Sequence, residues 1–557
     1  MEVNSVASLN RLESLIEQVI QRYKLDQVLF GLRSVADDFE PFVIGGASLF
    51  AVRFCNAGRR SARVLVPGKD VLAPWLHLVT CYLLADPIGY DLSLQEEYKN
   101  ANPVFAFLRI VGSQMPYSVS LFGHHAQPLL LYHDIPKNLA QPSGLRKFDF
   151  EESFRNLYGT STREFINIGF TSSVAALSHG GFTRGYFRKA REQGIKLPTE
   201  TKLLSALDRL AADPTQLRNL HRKYQATDPR FAMYGFNPLF LRPLVRPWRQ
   251  KKHVSMDEDR MVAPIPNLVV LKNSVGIFYE MFNRYGLEFS NYFGAVFEAY
   301  VGRVLQHCGK SSELIAESGI REAYPQAKGK APDWIVVEGN SAILVECKAT
   351  RFSRAALLMG DESAINYSLK QVIKGLRQLA DFREACLART TGLGILHGCK
   401  TFKAVLVTLE PLYLINSAPF RRYIDDELTS LSVKRFPWRV LSVDELEKLQ
   451  PYLAQGLSLN KALNDLESKT LDALLGDLYR ETGLTFRDSF LYEMDRELYR
   501  RLGVRIILSP TRKMPFLPVQ EHNAGVTVIK SLVCDNGESQ KERTLPRRSR
   551  DLQAMCC

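Results

Sequence analysis

The stretch KGKAPDWIVVEGNSAILVECKATRF, residues 328–352, holds two β-branched apolar runs, WIVVE and AILVEC, on either side of Gly339-Asn340. Such runs read as strands, and a Gly-Asn pair between them is a two-residue hairpin turn. With that turn, Glu338 pairs with Ser341, and the numbers of any two opposed residues sum to 679. Asp333 and Glu346 meet this condition, so they face each other across the hairpin with β-carbons about 4.5–5.5 Å apart. Lys348 is two residues beyond Glu346, and strand alternation sends it to the same face. Two carboxylates held this close repel unless a cation stands between them, and hard oxygen donors suit Mg²⁺ or Mn²⁺. Cys347 points to the other face, so its thiol is expected in the core while its backbone carbonyl remains a further hard donor.

The flanking segments extend the pattern. Upstream, SNYFGAVFEAYVGRVLQHC is an amphipathic helix with Phe293, Phe297, Tyr300, Val301 and Val304 on one face. Glu298 lies beside that face, with Gly294 and Gly302 one turn to either side, so the helix is expected to approach another element closely and carry Glu298 toward the site. Downstream, NYSLKQVIKGLRQLADFREA is amphipathic through Leu369, Val372, Ile373, Leu376 and Leu379, and FKAVLVTLEPLYLI resumes strand character. Strand, helix, strand predicts a right-handed crossover to a parallel neighbour. Singly, Asp333, Glu346 and Lys348 would be ordinary strand-end charges. Their convergence on one face makes that reading depend on several coincidences.

Helix with Glu298, PDW, ECK, helix and strand together resemble the PD-(D/E)xK nuclease superfamily, over roughly residues 285–415. The resemblance implies an α/β fold with a restriction-endonuclease-like core, a mixed central sheet flanked by helices. It implies that Asp333 and Glu346 are the acidic metal ligands, Lys348 the catalytic lysine and Glu298 the helical carboxylate. Gln378, with Gln371 as the alternative, would be the glutamine of the following helix. The activity implied is Mg²⁺- or Mn²⁺-dependent phosphodiester hydrolysis, with DNA the favoured substrate, as in restriction or antiphage-defence effectors. A homodimer or a partner protein of a multi-gene system is compatible with it. Arg351, Arg354, Lys370 and Lys374 are candidate phosphate contacts, which would position a substrate without reading its sequence.

The rest of the chain sets the context. Its 557 residues predict about three or four folding units. With 46% hydrophobic and 24% charged residues it reads as globular, and a net charge of +13 favours a polyanionic partner, nucleic acid before membrane. No apolar run approaches the roughly 20 residues of a spanning helix, and the start lacks the pattern of a secretion signal, so a cytoplasmic location is expected. The nine cysteines show neither zinc nor disulfide spacing, and the terminal Cys556-Cys557 does not match a prenylation signal. His124, His125 and His133 lack acidic or cysteine partners at a metal-site spacing.

Residues 1–150 read as an α/β or α+β domain, with EPFVIGGASLFAVRF and RSARVLVPG as strand-like segments. Residues 151–235 read as helical, 236–284 as a connecting segment, 285–420 as the nuclease-like domain, 421–533 as helical and 534–557 as a disordered basic tail. Around 172–210, a helix, a Gly-containing turn, a basic helix and a further helix are loosely similar to a helix-turn-helix reader. Arg184, Arg188, Lys189 and Arg191 are its candidate phosphate contacts, though a solvated helical face is the commoner meaning of such a pattern. This supplies the alternative reading of a non-catalytic nucleic-acid-binding regulator.

Overall fold

In a computed structural model of the chain, the residues described are 6–55, 66–84, 108, 112, 115–117, 125–139, 148–179, 181–224, 236–246, 260–309, 312–325, 331–353, 357 and 362–502. All lie within one compact unit, Met1–Arg505. Residues 60–65 of the segment RSARVLVPG, Arg354 and the tail 534–557 fall outside them.

The N-terminal region opens with four helices, α1 (Val6–Ile20), α2 (Leu25–Val35), α3 (Pro41–Phe54) and α4 (Lys69–Leu84). The stretch EPFVIGGASLFAVRF, expected as strand, is therefore α3. The reason is burial on all sides: an element covered all round carries no facial periodicity, and a short apolar run is then ambiguous between helix and strand. Pro41 starts the helix, and Gly45 makes room for an aromatic ring, since a Cβ there would stand 2.4 Å from Tyr117 Cε1.

Next come α5 (Phe150–Tyr158), α6 (Thr162–His179), β1 (Gly181–Thr183), α7 (Gly185–Glu192), α8 (Glu200–Leu210), β2 (Ala211–Ala212), α9 (Pro214–Lys223), β3 (Leu244–Val245) and β4 (Arg260–Val262). The four short strands form a sheet in the order β1-β4-β3-β2. The Gly-containing turn of the helix-turn-helix reading is thus strand β1, paired antiparallel with β4 through Gly181 and Val262. Arg184 and Arg191 sit 3.6 and 3.5 Å from Glu200 and tie α7 to α8, so two of the four cations proposed for phosphates are spent inside the fold.

The larger sheet follows two further helices, α10 (Pro266–Asn273) and α11 (Val275–Gln306), the latter bent at Gly286, whose φ of +58° suits glycine. Its strands and helices alternate as β5 (Glu313–Ala316), α12 (Glu317–Ala323), β6 (Trp334–Glu338), β7 (Ser341–Lys348), α13 (Glu362–Leu387), β8 (Thr401–Thr408), α14 (Ala418–Ser430), β9 (Trp438–Ser442) and α15 (Val443–Ala454). The order is β5-β6-β7-β8-β9. The first three strands are antiparallel neighbours, and β7, β8 and β9 run parallel. The protein is of mixed α/β class. The crossover from β7 through α13 to a parallel β8 is as expected from sequence.

Helices cover both faces of this sheet, which explains why its central strands are continuous apolar runs. Ile343, Val345, Val405 and Val407 pack with Val296, Tyr300 and Val304 of α11 and Leu446 and Leu449 of α15. Leu344, Ala404 and Leu406 pack with Leu369, Val372 and Leu376 of α13 and Phe420 and Ile424 of α14. Strand β9 lies in a stretch expected to be helical. It is short and carries Arg439, and the strong helix start at Ser442 follows directly, with the reciprocal Ser442–Glu445 capping box in place.

One buried acid bears on stability. Glu447 of α15 accepts hydrogen bonds from Tyr300 Oη at 2.6 Å and Gln127 Nε2 at 2.8 Å. Burial, reinforced by Asp444, pushes its carboxyl up to about 8, so the folded protein holds it protonated across a range in which the unfolded chain has lost the proton. Its contribution to stability is complete below about pH 4.5 and lost as pH rises toward 8, at about 1.4 kcal/mol per pH unit. Glu447→Gln is expected to flatten the stability-versus-pH curve in that window and raise Tm at pH 8. Urea titrations at pH 5 and pH 8 showing the same slope in both proteins would refute this.

Candidate active site

The hairpin register is the one the turn chemistry dictates: Glu338 opposes Ser341 and Trp334 opposes Val345, with Gly339 at φ +58°. One step further, Asp333 stands beside β7, where its Oδ2 accepts the Cys347 N–H at 2.6 Å and its carbonyl accepts the Glu317 N–H at 2.9 Å. These bonds tie Asp333, which precedes strand β6, to β7 and α12, close enough to Glu346 for the two carboxyls to bear on each other.

Glu346 is 1% exposed. Its Oε1 is ion-paired with Lys348 Nζ, and its Oε2 accepts a 2.9 Å hydrogen bond from Gln378 Nε2. Gln378 also donates to the Ala331 carbonyl at 2.7 Å, linking α13 to the segment entering β6. Of the two candidate glutamines, Gln378 is the one that touches the acidic pair. Gly375 lets α13 come close, since a Cβ there would lie 2.7 Å from Leu406 Cδ1, 3.7 Å from Glu346 Cγ and 3.8 Å from Lys348 Cε. Cys347 faces the opposite layer, packed against the α11 side, and burial holds its thiol well above the ordinary range, so it is no thiolate ligand.

Glu298 reaches the site from that other layer. Trp334 Nε1 donates to the Glu298 carbonyl at 3.2 Å, and the Trp334 ring lies on Gly302, where a Cβ would be 2.0 Å from Cζ2. The close approach expected from the two glycines holds at Gly302 but not at Gly294, which has open space beside it. Glu298 is half-buried. Burial and then the charge of Asp333 push its carboxyl up to about 7.

The same physics acts on the central pair. Burial, then the Asp333 charge, raises Glu346 to about 8, with Lys348 working in the opposite direction. Burial also raises Asp333, partly offset by the Cys347 N–H and by Lys348. Lys348 is itself disfavoured by burial, but Glu346 and Asp333 outweigh that and hold it above its ordinary value. One ammonium thus serves two buried carboxylates, which leaves a deficit of positive charge.

Glu317 and Arg321 were not singled out from the sequence. They form a 2.6 Å ion pair on α12, and both bear electrostatically on Glu298 and Asp333. Only the pairing of β5 with β6 brings α12 to this end of the sheet, and nothing local in residues 313–323 signals it.

The proposed phosphate contacts divide. Arg351 is turned inward, its guanidinium 4.5 Å from the Phe278 ring centre, 4.3 Å from Tyr279 and 5.3 Å from Phe282. It is stacked on aromatic rings between α11 and the chain leaving β7 and is only partly exposed, unlike Lys370 and Lys374. Lys370 and Lys374 are exposed on α13, and among the described residues no carboxylate pairs with them. Outside this region, His125 is a buried residue beside Asn167 and Phe170, and burial lowers it to about 3; it is a neutral core residue.

Asp333, Glu346 and the Cys347 carbonyl are the oxygen donors that would hold a hard divalent ion here, and the charge deficit around the two carboxylates is what such an ion would relieve. Among the described residues no group of three or more His, Cys, Asp and Glu side chains is arranged to hold a metal, so most of the coordination shell would fall to water and substrate. Mg²⁺ tolerates such a sparse protein contribution. Comparison of the chain with protein-family models, curated proteins and solved structures gave no match. Among the described residues, no helix is long and apolar enough to cross a membrane.

Proposed function

We propose that this chain is a metal-dependent nuclease hydrolysing phosphodiester bonds of nucleic acid, DNA by preference, on a restriction-endonuclease-like core formed by α11, β5–β9 and α13. The observation that carries this reading is the nearness of Asp333, bonded to the Cys347 N–H at the end of the hairpin, to Glu346, with Lys348 and Gln378 each bonded to Glu346. A bound Mg²⁺ or Mn²⁺ would lower the pKa of a water and neutralise charge on the scissile phosphate.

The chain's own groups have distinct parts in this scheme. Asp333 and Glu346 bind and orient, and their separation is fixed by the hairpin and by the Cys347 N–H. Lys348 places an ammonium beside the carboxylates, where it can donate to an attacking water or to a non-bridging phosphate oxygen, stabilising the charge that develops there. Gln378 holds the Glu346 carboxylate in one orientation. Glu298, raised toward neutrality, can take a proton from the water or hand one on near pH 7.

The test is cleavage of end-labelled and supercoiled DNA, and of RNA, by the full-length protein. Activity is expected with Mg²⁺ or Mn²⁺ and is expected to vanish with EDTA and in Asp333→Asn. Cleavage that continues undiminished in Asp333→Asn would overturn the reading.

A further inference from the structure

Helix α13 presents two rows of residues, and only one is used above. Gly375 and Gln378 face Glu346 and Lys348. Beside them, Tyr367, Lys370, Lys374 and Arg377 follow one another at spacings of three, four and three, which places them on one face of the helix. The three cations are exposed, and among the described residues none has a carboxylate partner. Tyr367 is 69% exposed, and among the described residues neither a hydrogen bond nor a ring contact holds it. The row spans about 15 Å along the helix and ends where Asp381 takes the next place on the same face.

A lone exposed tyrosine is ordinary. This one heads a line of exposed cations on the helix that also supplies Gln378 to the acidic site. Cations spaced along a line suit a phosphodiester backbone, and a free aromatic face suits a base with an open face of its own. In a duplex, stacking on the neighbouring pairs already covers the base faces. We propose that this row is the binding track of the site for single-stranded nucleic acid: Lys370, Lys374 and Arg377 hold successive phosphates, and Tyr367 stacks against an unpaired base. This inference rests on the nuclease reading above and names the substrate form that the site takes.

The experiment measures binding by fluorescence anisotropy in Mg²⁺, using full-length protein carrying Lys348→Ala to suppress turnover. Three probes of one length are compared: a labelled single strand, its duplex, and a single strand with its bases replaced by abasic sites. Tyr367→Ala is expected to weaken single-strand binding about tenfold and to change duplex and abasic binding less than about twofold, while Tyr367→Trp keeps the tight binding. The pair Lys370→Ala and Lys374→Ala is expected to weaken all three probes and to reduce the slope of log K against log salt by about 1.4 for the single strand. A Tyr367→Ala effect below about twofold on the single strand, or an equal effect on all three probes, overturns the proposal. Cleavage assays on protein with Lys348 intact keep the two readings apart. Metal-dependent cleavage without a Tyr367 effect on binding removes only the single-strand inference, whereas protein with Lys348 intact that cleaves neither DNA nor RNA in Mg²⁺ or Mn²⁺ removes the nuclease reading.

Discussion

Lys348→Ala is expected to lower the rate of phosphodiester cleavage by about 100- to 1000-fold at saturating metal. The side chain is 29% exposed and its ammonium is engaged by a Glu346 carboxylate that is itself 2% exposed, so the charge is set by the fold before substrate arrives. A preorganised cation in a poorly solvated site stabilises developing negative charge without the reorganisation that water would need. The variant also removes the cation that is ion-paired with Glu346 and bears on Asp333, so the folded protein is expected to lose stability in the absence of divalent metal and to recover part of it when Mg²⁺ is added. Single-turnover cleavage and thermal melts with and without Mg²⁺ measure the two effects. A variant that cleaves within about threefold of the parent protein would show that Lys348 is only the structural partner of Glu346.

The second large effect concerns how Glu298 and Asp333 are brought together. Gly302→Ala is expected to destabilise the protein by about 1–3 kcal/mol, although glycine to alanine inside a helix ordinarily stabilises. The added Cβ would stand 2.0, 2.6 and 2.6 Å from three atoms of the Trp334 ring, and Trp334 immediately follows Asp333. Relief requires the ring to move, and with it go the hydrogen bond to the Glu298 carbonyl and the placement of Asp333. Cleavage should therefore fall along with stability. Gly294→Ala, two turns earlier on the same helix with open space beside it, should stabilise by about 0.5–1 kcal/mol. Opposite signs in urea titrations of the two variants are the expected outcome. Equal signs would mean that Trp334 does not bear on the helix as described.

The hairpin was legible because its determinants are local. The Gly-Asn turn and the two-residue period of a strand settle which residues oppose one another, and a slip of one residue would have turned Glu346 and Lys348 to the other face. Gly302 could be read as a point of close approach but not which side chain fills it, since Trp334 lies 32 positions away in sequence. Arg351 has a partner that the sequence does not reveal. Next to a strand end, it reads as solvent-facing; three rings of α11 stack against it, and their nearness follows from packing that no local pattern encodes.

Residues 333–348 carry within themselves the neighbouring carboxylates, the lysine beside them and the inward thiol, because side-chain alternation and a tight turn operate over a few residues. The amphipathic α13 and the crossover to β8 are encoded almost as directly. Folding in three dimensions chose Gln378 over Gln371, added Glu317 and Arg321 to the acidic site, stacked Arg351 on the rings of α11, made α3 a helix and placed β9 at the sheet edge. Each of those outcomes depends on which distant surfaces exclude water together, and that is a property of the assembled layers and not of any short segment.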